Sequence, residues 1–241
     1  MIEIHAHVLP AIDDGPRDID QAVALLRAMI ADGVTHVVAT PHVYPTVFDN
    51  NRSINQAALD RFRGVLEQEN LQIGLSVAGE VRFNEHVVDL FHANELPFLG
   101  QFQGRRTLLL EMPDNQIPLG TEKLISWLLQ RDIQPVIAHP ERNRAIREQP
   151  ELGIELVEQG CLLQVTAGAL LGGFGDRVQE AAEFLVRRDA VIAIASDAHN
   201  LTTRMPCMAA AGQWLAENIN TEKAHALTVA GPAAVCGFTV P

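Results

Sequence analysis

The sequence predicts an α/β protein, a distorted (β/α)7 TIM-like barrel in a single domain spanning residues 1–241. Three observations carry that prediction. Short aliphatic and β-branched runs recur along the whole chain, each followed by a helical pattern. No stretch reads as a linker, a repeat or a low-complexity segment. Histidines and carboxylates gather at the ends of the apolar runs, and a ring of strands would bring those ends together.

The strands read as Ile2–His5, His36–Thr40, Ile73–Ala78, Thr107–Glu111, Pro135–His139, Leu162–Thr166 and Val191–Ser196. Their nearly uninterrupted apolar character suits parallel strands buried on both faces. Asp18 is placed to cap a first helix, with Val23, Leu26 and Ile30 at 3/4 spacing and Gly33 as its stop. Ile54, Ala58, Phe62 and Val65–Leu66 repeat the pattern, as do Leu124 with Trp127–Leu128, and Val178 with Ala181–Ala182 and Leu185. An open doubly wound sheet would concentrate chemistry at one switch point. Here His5, His7, His42, Glu80, Glu111, His139, Asp197 and His199 fall at or just beyond six of the seven strand ends, which favours the ring.

Composition narrows the function. Lys and Arg number 18 against 30 Asp and Glu, a formal charge of −12. Such a balance argues against nucleic-acid binding and against docking on an anionic membrane. The N-terminus MIEIHAHVLP lacks the basic and apolar regions of a secretory signal, and no run approaches the about 18 apolar residues of a membrane span. Cys161, Cys207 and Cys236 fit no zinc or disulfide spacing, so the expected location is the cytoplasm.

His5-Ala-His7 is a period-2 pair that turns both imidazoles to one side of a strand. Asp197-Ala-His199 repeats the geometry near the other end of the chain, and His139 closes a third strand. Glu80 and Glu111 end apolar runs, where a carboxylate is costly unless paired or bound to a cation. A mixed His/Asp/Glu set suits Mn, Fe or Zn. Asp13-Asp14 before Gly15, taken alone, reads as a turn.

The motifs IEIHAHVLPAIDDG, VVATPHVYP, VAGEV, LLLEMP, VIAHPER, LLQVTAGAL and IASDAHN, in that order, resemble the polymerase-and-histidinol-phosphatase (PHP) superfamily. Within it they resemble the bacterial tyrosine-protein phosphatases of capsule and exopolysaccharide loci, over residues 1 to about 205. The resemblance implies a trinuclear, usually manganese, centre. It assigns His5, His7, Glu80 and Asp197 to one ion, and Glu80, Glu111 and His139 to a second. Asp14, His42 and His199 would hold the third, which promotes Asp14 over Asp13. It further implies that Arg142 and Arg204 bind the substrate phosphate, and that the substrate is a phosphotyrosine protein, a bacterial tyrosine kinase. Family members commonly begin the first motif with Asp and carry Ser between the histidines; Glu3 and Ala6 stand here instead.

The chemistry agrees with such a site. Cations neutralise a phosphate dianion and acidify water, and guanidinium forks match its oxygens. Asp14 or His42 would serve as proton donor. The cysteine route is excluded, because the C-x5-R loop would need arginine where Ala167 and Gln213 stand, and Cys236 lies too close to the end. Two other functions compete: hydrolysis of a small phosphate ester such as histidinol phosphate or a nucleotide, and a non-catalytic metal-binding accessory role. His36 reads as a core or edge residue, and His86, His92 and His225 as solvated. Gly168, Gly172, Gly173 and Gly175 read as a rim loop, and Arg105-Arg106 and Arg187-Arg188 as solvated faces. Tyr44, Phe48 and Phe174 flank the site loops, placed either to grip an aromatic substrate or to pack.

Overall fold

The computed structural model describes residues 1–239; the last two positions of the single-domain assignment lie outside the described residues. Ten strands form two sheets with helices between them: β1 (Ile2–Ala6), β2 (His36–Ala39), β3 (His42–Val43), β4 (Gly74–Val77), β5 (Glu80–Arg82), β6 (Gly100–Phe102), β7 (Arg105–Glu111), β8 (Ile133–Ala138), β9 (Leu162–Thr166) and β10 (Val191–Ala195). One sheet runs β1-β2-β4, the other β3-β5-β7-β8-β9-β10, with β6 pairing antiparallel to β7 and all other pairs parallel.

Seven predicted strands thus become ten. The second is broken at Thr40-Pro41, where proline has no N–H for a ladder. The third is broken at Ala78-Gly79, where a Cβ on Gly79 would come within 2.6 Å of Pro97 and 2.9 Å of Val43. Beyond both breaks the chain pairs again as β3 and β5, with His42 opposite Glu80. Glu80 therefore opens a strand instead of ending one, and the register of β2 on β4 carries on unchanged into β3 on β5, now in the second sheet. The extra hairpin strand β6 had no apolar run to announce it.

The first sheet's β1 meets the end of β10 through backbone bonds: Asp197 N donates to His5 O at 2.8 Å, and His7 N to Ala198 O at 2.9 Å. Period-2 alternation sorts the core. Leu108 and Leu110 of β7 join the large cluster shared with the helices, while Leu109 joins a smaller one. That smaller cluster draws on strands of both sheets through Ile2, Ile4, Val38, Val136, Ala138, Ala193 and Ala195. Its far end is closed by the helix Gly231–Cys236, which contributes Ala233 and Val235 and is held by Thr107 Oγ1 donating to Val235 O at 2.7 Å.

The helices follow the expected seams with one change. Asp18 caps Ile19–Ala31 by accepting from Gln21 N at 2.9 Å. In Arg52–Gln68, Ile54 is 42% exposed and the buried face runs Asn55, Ala58, Leu59, Phe62 and Leu66. Asn55 takes that place because its amide donates to Ala78 O at 2.7 Å, capping the carbonyl freed by the break before Glu80.

Candidate metal centre

The nine side chains expected to hold metal come together around Glu80, from segments as far apart in the chain as those of His5 and His199. Glu80 Oε1 lies 2.8 Å from His139 Nε2 and 3.3 Å from His5 Nε2. Its Oε2 lies 2.9 Å from His42 Nδ1 and 3.4 Å from His7 Nε2. Asp197 Oδ1 is 3.2 Å from His5 Nε2 and 3.4 Å from His7 Nε2. At the mouth, the half-exposed Asp14 sets Oδ1 3.2 Å from His199 Nε2 and 3.4 Å from His42 Nε2. His139 and Asp197 both hold left-handed backbone, φ 33° and 52°, a strained conformation for non-glycine residues that aims their side chains inward.

These donors fit divalent cations on two counts. His5 Nε2, His7 Nε2, Glu80 Oε2 and Asp197 Oδ1 are fully buried polar atoms without a hydrogen-bond partner, and they face one another. Buried polar groups are nearly always satisfied, so four orphans on one point call for a ligand. Compact donor groups form as His5/His7/Glu80, His5/His139/Asp197, His42/Glu80/Glu111 and His7/Asp14/His42/His199. The grouping differs in detail from the one the resemblance implies. His139 sits with His5 and Asp197 instead of Glu111, and His7 also reaches the group at the mouth.

The electrostatics are those of a cluster built around charge. Burial alone would raise the Asp197 carboxyl, but His5, Arg142 and Arg204 hold it well below the usual range. Asp14 is likewise lowered against the push of burial, chiefly by His199 and then His42. Burial and then the Arg142 charge bring His139 down to about 4, so its imidazole is neutral. Glu111 is raised, by burial and by Glu80. Arg142 and Arg204 both donate to Asp197 Oδ2, and Arg204 Nη1 lies 2.8 Å from His199 Nε2. The two predicted phosphate-binding arginines are therefore at the cluster, not on a remote rim.

A surrounding layer carries residues that sequence reasoning passed over. Asp13, read as a turn, accepts from His42 N at 3.0 Å and sets Oδ2 2.6 Å from His7 Nδ1, which turns His7 Nε2 toward Glu80 and Asp197. Gln164 Oε1 does the same for His5 at 2.7 Å from Nδ1. Glu3 accepts from His5 N and Ser196 N, both at 2.9 Å, tying β1 to the end of β10; burial pushes its carboxyl up to about 7. Arg82 pairs with Glu111 at 3.0 Å. Glutamine in LLQVT and glutamate in IEIHA were legible signals, polar residues inside apolar runs, whereas Asp13 and Arg82 had none.

Of the residues set aside, His36, His92 and His225 are exposed and His86 is half-buried. Phe48 stacks on His42 with centroids 5.3 Å apart. Phe174 lies under the Arg142 guanidinium at 5.2 Å, and Tyr44 under that of Arg82 at 5.1 Å. The three thiols are pushed up to about 12 by burial. Among the described residues no helix is long and apolar enough to cross a membrane.

Comparison with known proteins supplies the family. The family model for capsular polysaccharide synthesis proteins, CpsB/CapC, matches residues 1–236. This chain belongs to the CpsB/CapC family. The tyrosine-protein phosphatase YwqE of Bacillus subtilis is 36% identical over 204 residues, 85% of this chain and 79% of that protein. The tyrosine-protein phosphatase CpsB of Streptococcus pneumoniae is 27% identical over 237 residues, 96% of each. A crystal structure from work on YwqE and CpsB, described as unique metal-dependent tyrosine phosphatases, superposes with a TM-score of 0.90 at 32% identity, covering 100% of this chain and 96% of that one. More distant structures share the fold alone with this CpsB/CapC chain. The phosphotriesterase homology protein of Escherichia coli, for example, superposes with a TM-score of 0.56 at 12% identity, covering 98% of this chain and 97% of that one.

Proposed function

We propose that this CpsB/CapC chain is a metal-dependent protein-tyrosine phosphatase, acting in the cytoplasm on a bacterial tyrosine kinase that controls capsule or exopolysaccharide synthesis. The observation that carries the reading is the convergence of four orphaned buried donor atoms beside two guanidinium groups. Family membership supports it. The backbone bonds between β1 and the end of β10, and an inner core shared by both sheets, support a closed distorted (β/α)7 barrel. The proposed ligands are His5, His7, Asp14, His42, Glu80, Glu111, His139, Asp197 and His199, and the proposed ions are two or three Mn²⁺.

Divalent cations bound here supply charge neutralisation of the phosphate and a water acidified enough to ionise near neutral pH. The protein's own groups do the rest. Arg142 and Arg204, both anchored on Asp197, offer planar forks to phosphate oxygens as charge spreads over them. Asp197 keeps both forks aimed by staying ionised. The leaving phenolate, with a pKa of about 10, needs little proton assistance. Asp14, held low, has no proton to give.

Purified protein reconstituted with Mn²⁺ should hydrolyse a phosphotyrosine peptide faster than a phosphoserine peptide or histidinol phosphate. Exhaustive EDTA treatment should stop it, Mn²⁺ should restore it, and iodoacetamide should leave it intact, since no thiol lies in the cluster. Faster turnover of histidinol phosphate would move the substrate to a small ester. Full activity after chelation would sink the metal reading.

A further inference from the structure

Beside the cluster lies a cavity of about 390 Å³ that the reaction as described does not use. Asp14 and His199 form its inner wall; Pro16, Ala24 and Leu201 give it apolar sides, and Arg17 stands at its edge. Its volume is at the small end for a ligand pocket, enough for one aromatic side chain. Leu201 leaves 44% of its surface exposed, a cost that a partner in the cavity would recover. Arg17 forms no ion pair among the described residues, and its backbone N–H donates to Gln21 Oε1 at 3.2 Å.

The position matters more than the volume. His199 Nε2 lies 2.8 Å from Arg204 Nη1 and 3.2 Å from Asp14 Oδ1, so one imidazole separates the cavity from the guanidinium assigned to phosphate. The aromatic ring of an aryl phosphate begins two bonds from phosphorus. Two of the lining residues, Asp14 and His199, also belong to the cluster, so the cavity adjoins the place where a phosphate would be held. Phe48 stacks on His42, Phe174 underlies Arg142 and Tyr44 underlies Arg82.

Resting on the phosphatase reading, we propose that this cavity is the seat of the tyrosyl ring, and so the element that selects aryl over alkyl phosphate esters. The apolar walls cover the ring edge, and the Arg17 guanidinium covers a ring face, an attraction an alkyl ester cannot return. A phosphoserine or phosphothreonine side chain, too short to fill the space, would leave it wet.

Calorimetric binding of two non-hydrolysable probes to the Mn²⁺-loaded protein tests this without turnover. Benzylphosphonate, whose ring begins two bonds from phosphorus as in the ester, should bind at least about tenfold tighter than methylphosphonate, which lacks only the ring. Ala24→Phe fills the cavity and should abolish that preference while leaving methylphosphonate affinity within about twofold. Leu201→Ser, on an exposed wall where folding is not at stake, should reduce the preference severalfold, and Phe174→Ala should leave it in place. The absence of a benzyl preference in the wild type overturns the assignment. So does a preference that survives both Ala24→Phe and Leu201→Ser, or one abolished by Phe174→Ala. Failure of the wild type to hydrolyse phosphotyrosine peptide would instead count against the phosphatase reading, and the phosphonate comparison would still report on the cavity.

Discussion

Asp13 and Asp14 are neighbours with separate work. Asp14 points to the mouth, while Asp13 turns inward and fixes His7 through Nδ1 and the chain at His42 through its backbone N–H. A carboxylate behind a ligating histidine typically contributes about 10- to 100-fold in metal affinity. Asp13→Ala should therefore lower metal content at limiting Mn²⁺, measured by mass spectrometry, with secondary structure intact. Wild-type stoichiometry and affinity in that variant would return Asp13 to a simple turn. Arg142→Ala and Arg204→Ala should show the opposite profile. A guanidinium stays protonated and cannot ligate a cation, so metal content should remain near normal. Turnover of phosphotyrosine peptide should fall by on the order of a hundredfold, about 3 kcal/mol, in kcat as well as KM. Lysine should rescue poorly because it keeps the charge without the fork. Near-wild-type kinetics in either alanine variant would remove that arginine from the site.

At the scale of elements, the breaks in the second and third strands matter most. The breaks leave the register as it was, His42 opposite Glu80 as Ala39 is opposite Val77, but they hand both segments to the second sheet, where Glu80 and Glu111 lie on neighbouring strands. The C-terminal helix Gly231–Cys236 is the other decisive element, because it closes the inner core by close backbone approach. A Cβ on Gly231 would lie 1.8 Å from Ile192 O, and one on Gly100 2.1 Å from Cys236 O. Gly231→Ala must push a carbonyl aside and should cost ~1–3 kcal/mol or more, read as a lower urea midpoint. Gly64 is the contrast, sitting in the helix Arg52–Gln68 with nothing within 4 Å of where a methyl group would stand. Gly64→Ala should raise stability by ~0.5–1 kcal/mol through helix propensity and lost unfolded-chain entropy. Equal effects of the two substitutions would contradict the plug.

For the molecule as a whole, metal and protons compete for one cluster. His7 is held well above 6.5: burial alone would lower it, but the Asp13 charge and hydrogen bond outweigh that. Without metal its second proton is thus held more firmly than on a free imidazole, and that proton must leave before the lone pair can ligate. Because the group is raised, affinity should be weak below neutrality and rise with pH until His7 is deprotonated. Mn²⁺ titration calorimetry at about pH 6.5 and 8.5, in buffers of contrasting protonation enthalpy, should show proton release and at least about tenfold weaker binding at the lower pH. Binding without proton release at either pH would rule out this competition. The same cations would offset part of the −12 formal charge of the chain, much of whose buried share faces them.

The sequence by itself determined the α/β class, most strand positions and most residues of the cluster, Asp14 being reached only through the family resemblance. Apolar runs of strand length can only be buried, and a carboxylate or histidine closing such a run needs a partner to be tolerated there. Gln164 and Glu3 were legible in the same way, as polar residues in runs where nothing polar survives unpaired. What the tertiary structure alone decided were the pairings: Asp13 on His7, Gln164 on His5 across 159 positions, Arg82 on Glu111, and which donors share a group. The extra strand β6 and the plugging role of Gly231–Cys236 were also hidden, because neither has a pattern of its own. Each depends on backbones meeting at distances set by the packing of distant segments, and local periodicity carries no record of that.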